Sequence, residues 1–169
     1  MNHKPIPYRA VKFSYVLTDT PVGPLGLHFT SKGLAALTFN DQDAAAANAS
    51  PPPEIAAWVE IIKRGVDGYF HGRTLDLSSL PLDLRGTSFQ LRVWRELRKI
   101  PWGQTISYKE LAARAGSPKG FRAVGQANGA NPIPLIIPCH RVINANGALG
   151  GFSSGLHRKK WLLEHEGAI

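Results

Sequence analysis

The chain has 169 residues, enough for one ordinary domain or two small ones. Apolar types make up 43% and charged types 19%, which excludes a disordered chain, and no run approaches the roughly 18 apolar residues of a membrane span. Residues 1–84 carry 7 Lys/Arg against 8 Asp/Glu, whereas residues 85–169 carry 13 against 4, so the second half holds all of the net charge of +8. This asymmetry favours a polyanionic partner, nucleic acid before a membrane surface.

The single cysteine, Cys139, excludes an internal disulfide and fits a reducing, cytosol-like compartment. The first ten residues contain no apolar core of the kind found in secretory signals, so secretion by that route is not expected. His28 and His71 stand alone, without the spacing of metal ligands, and we expect neither a metal nor a cofactor.

Residues 1–84 are typical of a small sheet with one helix. Apolar side chains at helical spacing from Ile55 to Tyr69 predict a helix of about four turns. The stretch 41–53 is polar, rich in alanine and closed by three prolines, as in an exposed loop, and the alternating leucines of 75–84 favour a strand or an extended connector. Turn residues separate three β-prone runs, which are Lys12–Thr18, Leu25–Thr30 and Leu34–Asn40.

The second half opens with a predicted helix from Phe89 to Ile100, which Pro101 ends. Ser107 and Glu110 then have the spacing of a capping box, in which the serine side chain caps a backbone N–H and the glutamate reaches back to the serine. This signal predicts a short helix that ends at Gly116.

A second start signal follows at Ser117-Pro118 and predicts a helix from Lys119 to about Asn128. Two short helices joined by a glycine turn match a helix-turn-helix, for which an ordinary αα-hairpin is the alternative. Lys119 and Arg122 place cations in the first turn, where a bound phosphate would explain them. Small residues let the backbone of this helix approach a partner closely, namely Gly120, Ala123, Gly125 and Ala127. Together these features favour a DNA-binding helix.

Residues 131–143 alternate prolines with aliphatic side chains and predict a rigid, largely buried extended segment. Cys139 lies there beside His140 and Arg141, and nearby cations lower the pKa of a thiol, so a nucleophilic cysteine is favoured over a structural one. In a regular strand, neighbouring side chains point to opposite faces, so His140 could reach the thiol only through a kink or a bridging water. A base also needs an orienting group, for which Glu164, His165 and Glu166 stay open.

These residues together closely resemble the O6-alkylguanine-DNA alkyltransferases over nearly all of 86–167. The run Pro138-Cys139-His140-Arg141-Val142 is the most specific part of the resemblance, and it follows the helix-turn-helix at the family's spacing. Further matching stretches are Gly86–Gln90, Val93-Trp94, Ile100-Pro101, Ser107-Tyr108, Leu111-Ala112, Gly116–Pro118, Arg122–Gly125, Ala127-Asn128, Asn131-Pro132 and Leu162–Gly167. The resemblance implies an α/β (α+β) protein, with a ribonuclease-H-like N-terminal sheet domain (1–84). A mainly helical C-terminal domain (85–169) would carry the helix-turn-helix and the active site.

The resemblance also implies roles for individual residues. Cys139 would accept the alkyl group, His140 would take the thiol proton through a water, Glu166 would orient His140, and Asn131 would brace the turn. Tyr108 would rotate a phosphate and donate to the substrate base, and Arg122 would fill the gap left by a flipped nucleotide. The carbonyls of Cys139 and Val142 would receive the guanine amino group. The remaining DNA- and substrate-contacting residues implied are Ser107, Ala123, Gly125, Pro134, Arg141, Phe152 and Ser153.

Two positions depart from the family pattern. Phe152 replaces a common tyrosine, which keeps an aromatic wall but loses its hydroxyl, and Phe121 stands before Arg122 where a small residue is typical. Phe121 is either a second wedge or a packed side chain, and packing is favoured. Some relatives carry zinc in the N-terminal half, but the ligand cysteines are absent here, so no metal is expected.

The activity implied is single-turnover, irreversible repair of O6-alkylguanine in duplex DNA, with O4-alkylthymine left open. The O6 atom lies inside the base stack, so the nucleotide must be extruded at a cost of a few kcal/mol. The thioether has no simple leaving route, which predicts one turnover per molecule. The implied protein is a cytoplasmic monomer that binds the minor groove of nucleoid DNA, or is nuclear in a eukaryote. The rivals are a helix-turn-helix regulator, an alkyltransferase-like damage sensor and a cysteine hydrolase.

Overall fold

The computed structural model describes residues 11–39 and 50–169. Most of the predicted loop 41–53 therefore lies outside the described residues. Contacts divide the chain into two compact units, Met1–Arg85 and Gly86–Ile169. Among the described residues, no helix is both long enough and apolar enough to cross a membrane.

The first unit is a three-stranded antiparallel sheet with one helix. The strands β1 (Phe13–Leu17), β2 (Leu25–Thr30) and β3 (Gly33–Thr38) lie in sequence order, with β2 in the middle and buried along its whole length. Helix α1 (Pro53–Phe70) starts on prolines, which suit a first helical turn because their missing N–H has no partner there. Apolar side chains of the sheet and the helix form the core, among them Leu25, Leu27, Phe29, Leu34, Ile62 and Tyr69.

The leucines of 75–84 do not build a strand of their own. Leu82 makes one isolated parallel bridge with Leu34, and the backbone of Leu34 bonds to Pro81 and Asp83 on either side of that bridge. The extended connector, one of the two predicted alternatives, is the one observed.

The second unit is mainly helical. Its elements are α2 (Ser88–Leu97), β4 (Ile106–Ser107), α3 (Tyr108–Arg114), α4 (Phe121–Gly129), a single 3-10 turn (Cys139–Arg141), β5 (Val142–Ile143) and α5 (Leu156–His165). The short strands β4 and β5 pair in parallel, with Ile106 opposite Val142. Because α3 starts directly after β4 and the 3-10 turn ends where β5 begins, this pairing places Tyr108 beside the segment that carries Cys139.

The α2 helix is capped at its N-terminus and bonded to α4 through one of its side chains. Thr87 and Gln90 form a full capping box that the sequence analysis did not identify: the Thr87 hydroxyl accepts from Gln90 N at 3.2 Å, and Thr87 N donates to Gln90 Oε1 at 2.9 Å. The buried Trp94 donates from its indole Nε1 to the carbonyl of Ala127 at 2.8 Å. This bond ties α2 to α4 and so holds the helix-turn-helix against the unit's core.

The predicted capping box at Ser107 is only half correct. The Ser107 hydroxyl accepts from Glu110 N at 3.0 Å and caps α3, but the Glu110 carboxylate pairs with Arg114 at 2.6 Å instead of reaching back. Glu110 and Arg114 are four residues apart, the spacing at which oppositely charged side chains meet on one face of a helix.

The second helix of the pair begins later than predicted, at Phe121 rather than Lys119. Ser117 closes a turn in which Gly120 N donates to its carbonyl at 2.7 Å. A Cβ on Gly120 would overlap the Ser117 hydroxyl, so a larger residue there would force the Ser117 side chain to move. Lys119 therefore lies in the turn before α4, and Arg122 lies in the helix's first turn.

Candidate active site and nucleic-acid interface

The segment before Cys139 is buried but folded back on itself, which corrects the prediction of an extended segment. Asn131 holds the bend: its Nδ2 donates to Ile137 O at 2.7 Å and its Oδ1 accepts from Ile133 N at 3.0 Å. Leu135 has φ of 74°, in the left-handed region that non-glycine residues rarely occupy. The prolines restrict the chain, but the Asn131 side chain supplies the bonds that turn it. Asn131 thus lies where a brace is needed.

Cys139, His140 and Arg141 form one 3-10 turn instead of a strand. Cys139 is 3% exposed and His140 is fully buried. The turn is the kink that the sequence analysis offered as one alternative, since a 3-10 turn does not alternate its side chains between two faces. The backbone therefore lets His140 and Cys139 share one buried environment.

Glu166 connects His140 and Arg141 at the end of α5. Its Oε1 contacts His140 Nε2 at 2.8 Å, and Arg141 donates to the same carboxylate through Nε at 2.8 Å and Nη2 at 2.9 Å. Of the three orienting groups left open, the structure selects Glu166. Arg141 Nη1 also donates to Ile100 O at 2.6 Å. Arg141 is 9% exposed, and its guanidinium is bonded to Glu166 and Ile100, so its role as a DNA-contacting residue stays a prediction.

The bonds of Glu166 determine which nitrogen of His140 is free. Burial raises the pKa of Glu166, but hydrogen bonds from His140 and Arg141 more than offset it and lower that pKa to about 2. Burial lowers the pKa of His140 despite the carboxylate beside it, so the imidazole is neutral at pH 7. A neutral imidazole bonded to a carboxylate carries its proton on Nε2. Nδ1 is then a bare acceptor, and it is buried without a hydrogen-bond partner.

The Cys139 thiol is not pre-ionised, contrary to the expectation from its cationic neighbours. Burial raises its pKa to about 11, against the opposing effects of Asn131 and Lys159. Arg141 does not lower the pKa of Cys139, because its guanidinium is hydrogen-bonded to the Glu166 carboxylate. A free thiol with this pKa is protonated at pH 7 and needs a base, which the Nδ1 atom of His140 can supply.

Lys159 is a buried residue of this site that the sequence analysis missed. It is fully buried, and its Nζ donates to Val142 O at 2.6 Å and Gly151 O at 3.2 Å. Burial lowers its pKa to about 8, while the charge of a Cys139 thiolate acts to raise it. A signal was available: Lys159 precedes Leu162 and Leu163 by three and four residues, so it shares their core-facing side of α5.

Tyr108 lies between α4 and the loop that follows β5. Its hydroxyl donates to Gly151 O at 3.4 Å, and Lys159 Nζ lies 5.9 Å from the centre of its ring. Burial raises the pKa of Tyr108, so the phenol keeps its proton and remains a donor. A Cβ on Gly150 would lie 2.9 Å from this ring, which explains the glycine there.

The buried Asn128 is a second residue that the sequence analysis did not single out for the site. Its Nδ2 lies 3.5 Å from the Cys139 carbonyl, and its Oδ1 is buried without a partner. Asn128 therefore contacts one of the two carbonyls expected to receive the guanine amino group. The other, the carbonyl of Val142, accepts a hydrogen bond from Lys159 Nζ.

The other expected substrate contacts divide into buried and accessible positions. Pro134 is buried in the bend, where its backbone forms an isolated bridge with Ile137. Phe152 is half-buried and Ser153 is exposed, both in the loop between β5 and α5. The structure therefore brings Phe152 and Ser153, but not Pro134, to positions that solvent reaches.

The first turn of α4 is open to solvent. Arg122 and Ala123 are exposed, and Gly125 faces Tyr108, whose ring lies 3.9 Å from the position of a Cβ. Phe121 is 53% exposed, which overturns the favoured expectation that it packs into the domain. It is the first residue of its helix, and α3 ends at Arg114, seven residues earlier, so the helix hairpin leaves the ring uncovered.

Comparisons with known proteins agree for both units. Residues 13–84 match the family model for the ribonuclease-like domain of 6-O-methylguanine DNA methyltransferase, and residues 88–168 match the model for its DNA-binding domain. The predicted fold class, a ribonuclease-like sheet domain followed by a helical DNA-binding domain, is confirmed.

Full-length relatives agree as well. The methylated-DNA–protein-cysteine methyltransferase of Mycobacterium leprae is 45% identical over 88% of each chain, and that of Methanosarcina barkeri is 42% identical over 90% of this chain and 96% of the relative. A crystal structure of Mycobacterium tuberculosis OGT in complex with DNA superposes with a TM-score of 0.75 at 42% identity, over 92% of each chain. The chain therefore belongs to the 6-O-methylguanine DNA methyltransferase family, the methylated-DNA–protein-cysteine methyltransferases that repair O6-methylguanine in DNA.

Proposed function

We propose that Cys139 is the residue that accepts the alkyl group, directly and once, from O6-alkylguanine in duplex DNA. One observation carries this proposal: the chain's single cysteine lies next to a buried imidazole whose Nε2 is bonded to Glu166 and whose Nδ1 has no partner. That arrangement provides a nucleophile, a base and an orienting carboxylate within one buried cluster. In this proposal residues 85–169 are the DNA-binding and alkyl-accepting domain, and residues 1–84 are the second domain.

The proton relay follows from the protonation states. The Cys139 thiol gives its proton through a bridging water to Nδ1 of His140, and Glu166 stabilises the imidazolium through Nε2. The thiolate sulfur attacks the alkyl carbon, an S–C bond forms, and the C–O6 bond breaks. The electron pair stays on the guanine, which takes the proton back from the His140 imidazolium through water and is restored as the normal base within the DNA strand. Tyr108, whose phenol keeps its proton, donates a hydrogen bond to the base as charge develops on it.

Burial makes extrusion of the nucleotide necessary. With Cys139 only 3% exposed, its sulfur cannot reach an alkyl group that is still stacked inside a duplex. Arg122, exposed in the first turn of α4, occupies the gap in the stack, and the helix-turn-helix approaches the minor groove, where a side chain can enter the stack. The carbonyls of Cys139 and Val142, with Phe152 and Ser153, form the pocket that receives the flipped base.

The product is a thioether, and the chain has no second cysteine to displace it. The protein is therefore consumed in the reaction, as a monomer acting where the cell's DNA is, in the cytoplasm with the nucleoid or in a nucleus. The same assay with duplex DNA that contains O4-alkylthymine tests whether this base is also a substrate.

Intact-protein mass spectrometry after incubation with duplex DNA containing O6-methylguanine tests the proposal. We expect the mass of one added methyl group, mapped to Cys139 by peptide analysis and absent in Cys139→Ala. An unmodified protein that still binds the DNA would instead identify a damage sensor. Release of more than one equivalent of product would identify a turnover enzyme.

Arg122→Ala should slow repair in duplex DNA by about tenfold, because loss of the side chain leaves the extruded state without a group to fill the stack. The reaction with free O6-benzylguanine, which needs no extrusion, should be nearly unchanged. The check is the ratio of the two second-order rate constants. Equal losses in both reactions would show that Arg122 does not act on extrusion.

A further inference from the structure

The most prominent unexplained feature of the DNA-binding unit is an exposed phenylalanine beside the proposed wedge. Phe121 is 53% exposed, and only two other large apolar side chains among the described residues are comparably exposed, Leu156 at 51% and Ile169 at 55%. Covering apolar surface is favourable, so a base that packs on the exposed part of the Phe121 ring would stabilise the complex with DNA.

The direction of Phe121 follows from the helix geometry. Residues four apart in a helix lie on one side, so Phe121 lies one turn above Gly125, and Gly125 faces the Tyr108 ring. Arg122 lies about 100° further round, on the side of the exposed Gln126. Side chains in a helix lean towards its N-terminus, so the ring projects beyond the start of α4 on its active-site side.

The charged residues around the Phe121 ring favour an anionic partner. Residues 108–129, which make up the helix hairpin, carry four cations and one acid, and the acid, Glu110, is paired with Arg114. The N-terminus of a helix favours negative charge, but the first turn of α4 contains no acidic side chain to supply it. An anion from a partner would meet no acidic competitor there. An aromatic ring flanked by cations is complementary to a nucleic acid, because the cations can bind backbone phosphates and the ring can stack on a base.

We propose that Phe121 is a second inserting side chain, which stacks on a base at the step next to the nucleotide that Arg122 replaces. Arg122 fills the space of the extruded base, and Phe121 unstacks the neighbouring step and covers the exposed base face. The turn that Gly120 N closes on Ser117 O leads directly into α4, so Phe121 and Arg122 are both in the helix's first turn. The inference rests on the proposed function, since it assigns a role within the same extrusion step.

Phe121→Ala tests this with two substrates. We expect the ratio of the rate constant for O6-methylguanine in duplex DNA to that for free O6-benzylguanine to fall by about tenfold, the loss of one base–aromatic stack. Phe121→Trp, which keeps an aromatic face, should restore most of the ratio. Leu156→Ala, which truncates an equally exposed apolar side chain outside the helix hairpin, should leave the ratio unchanged.

Two further measurements separate stacking from charge. The dependence of DNA affinity on salt should keep its slope in Phe121→Ala, whereas Lys119→Ala, in the turn before α4, should reduce the slope by about one phosphate contact. A 2-aminopurine placed beside the lesion should brighten when the wild-type protein binds, and less so with Phe121→Ala.

Several outcomes would overturn the proposal. A ratio unchanged in Phe121→Ala would leave the ring without a role in extrusion, and an equal loss with the free base would mean that it supports the fold. Conversion of a dimer to a monomer by Phe121→Ala would assign the ring to a second copy of the chain. If the wild-type protein takes up neither a methyl group from the duplex nor a benzyl group from the free base, the proposed function itself fails, and this result is distinct from the others.

Discussion

Glu166→Gln should lower the rate of methyl transfer by about a hundredfold or more and destabilise the protein by about 3–5 kcal/mol. The rate falls because a neutral amide accepts the Nε2 hydrogen bond of His140 more weakly and carries no charge to stabilise the imidazolium, and general-base catalysis contributes about 10²–10⁴ in rate. The stability falls because the buried Arg141 loses its counterion, and a buried pair broken on one side costs about this much. Single-turnover kinetics and denaturant unfolding measure the two effects.

The matched control is Glu164→Gln, the same change two residues earlier on α5. Glu164 is exposed and lies 3.6 Å from Lys160, so losing it should cost less than about 1 kcal/mol and leave the rate unchanged. Equal effects of both substitutions would contradict the role given to Glu166.

Lowering the pH should protonate the Glu166 carboxylate and remove its contribution to the free energy of unfolding. The pKa of Glu166 is lowered in the folded protein to about 2 from an ordinary 4.5, so its contribution to stability is complete above pH 4.5 and is lost as the pH falls towards 2. The difference in unfolding free energy between wild type and Glu166→Gln should therefore shrink across this window. A difference that stays constant down to pH 2 would mean that the buried carboxylate is not ionised.

Lys159→Met should slow methyl transfer between ten- and a hundredfold at pH 7. The ammonium of Lys159 favours the thiolate form of Cys139, and one opposite charge nearby lowers a thiol's pKa by about one to three units. Methionine keeps the apolar stem and removes the charge. The exposed Lys160→Met is the control, with no expected change.

The pH dependence distinguishes charge from packing. Burial lowers the pKa of Lys159 to about 8, so the wild-type lysine itself loses its proton above that pH. The deficit of Lys159→Met should therefore shrink between pH 7 and pH 9.5. A deficit equal at both values would show that Lys159 only holds the carbonyls of Val142 and Gly151. Because Cys139 is the single cysteine, reaction with a thiol reagent reports its ionisation directly.

Local signals predicted most of the elements. Apolar spacing located α1 and α2, and the turn residues bounded β2 within the sheet, because these signals act between residues a few positions apart. The residue at which a helix begins was predicted less accurately. The Ser117-Pro118 signal predicts a helix from Lys119, but residues 117–120 form a turn and α4 begins at Phe121. The competition between a short turn and a helix start depends on packing that a local motif does not contain.

Within the site, the identity of the reacting groups was predictable and their electrostatics were not. The run around Cys139 indicated a nucleophile with a histidine, and the resemblance named Glu166. The pKa of the thiol was predicted with the wrong sign, because its neighbour Arg141 turns towards Glu166, 25 residues along the chain. Lys159, 20 positions after Cys139, was overlooked because a lysine in a basic run is usually exposed.

By itself, the sequence determined which chemistry is present: one thiol, one adjacent imidazole, and an excess of positive charge confined to the half that holds them. Only the tertiary structure decided how those groups are protonated and where they point. It buries the thiol and raises its pKa, frees Nδ1 of His140, turns Arg141 inwards and leaves Phe121 in solvent. The physical reason is that burial and long-range partners set pKa values and orientations, and neither is encoded in the spacing of nearby residues.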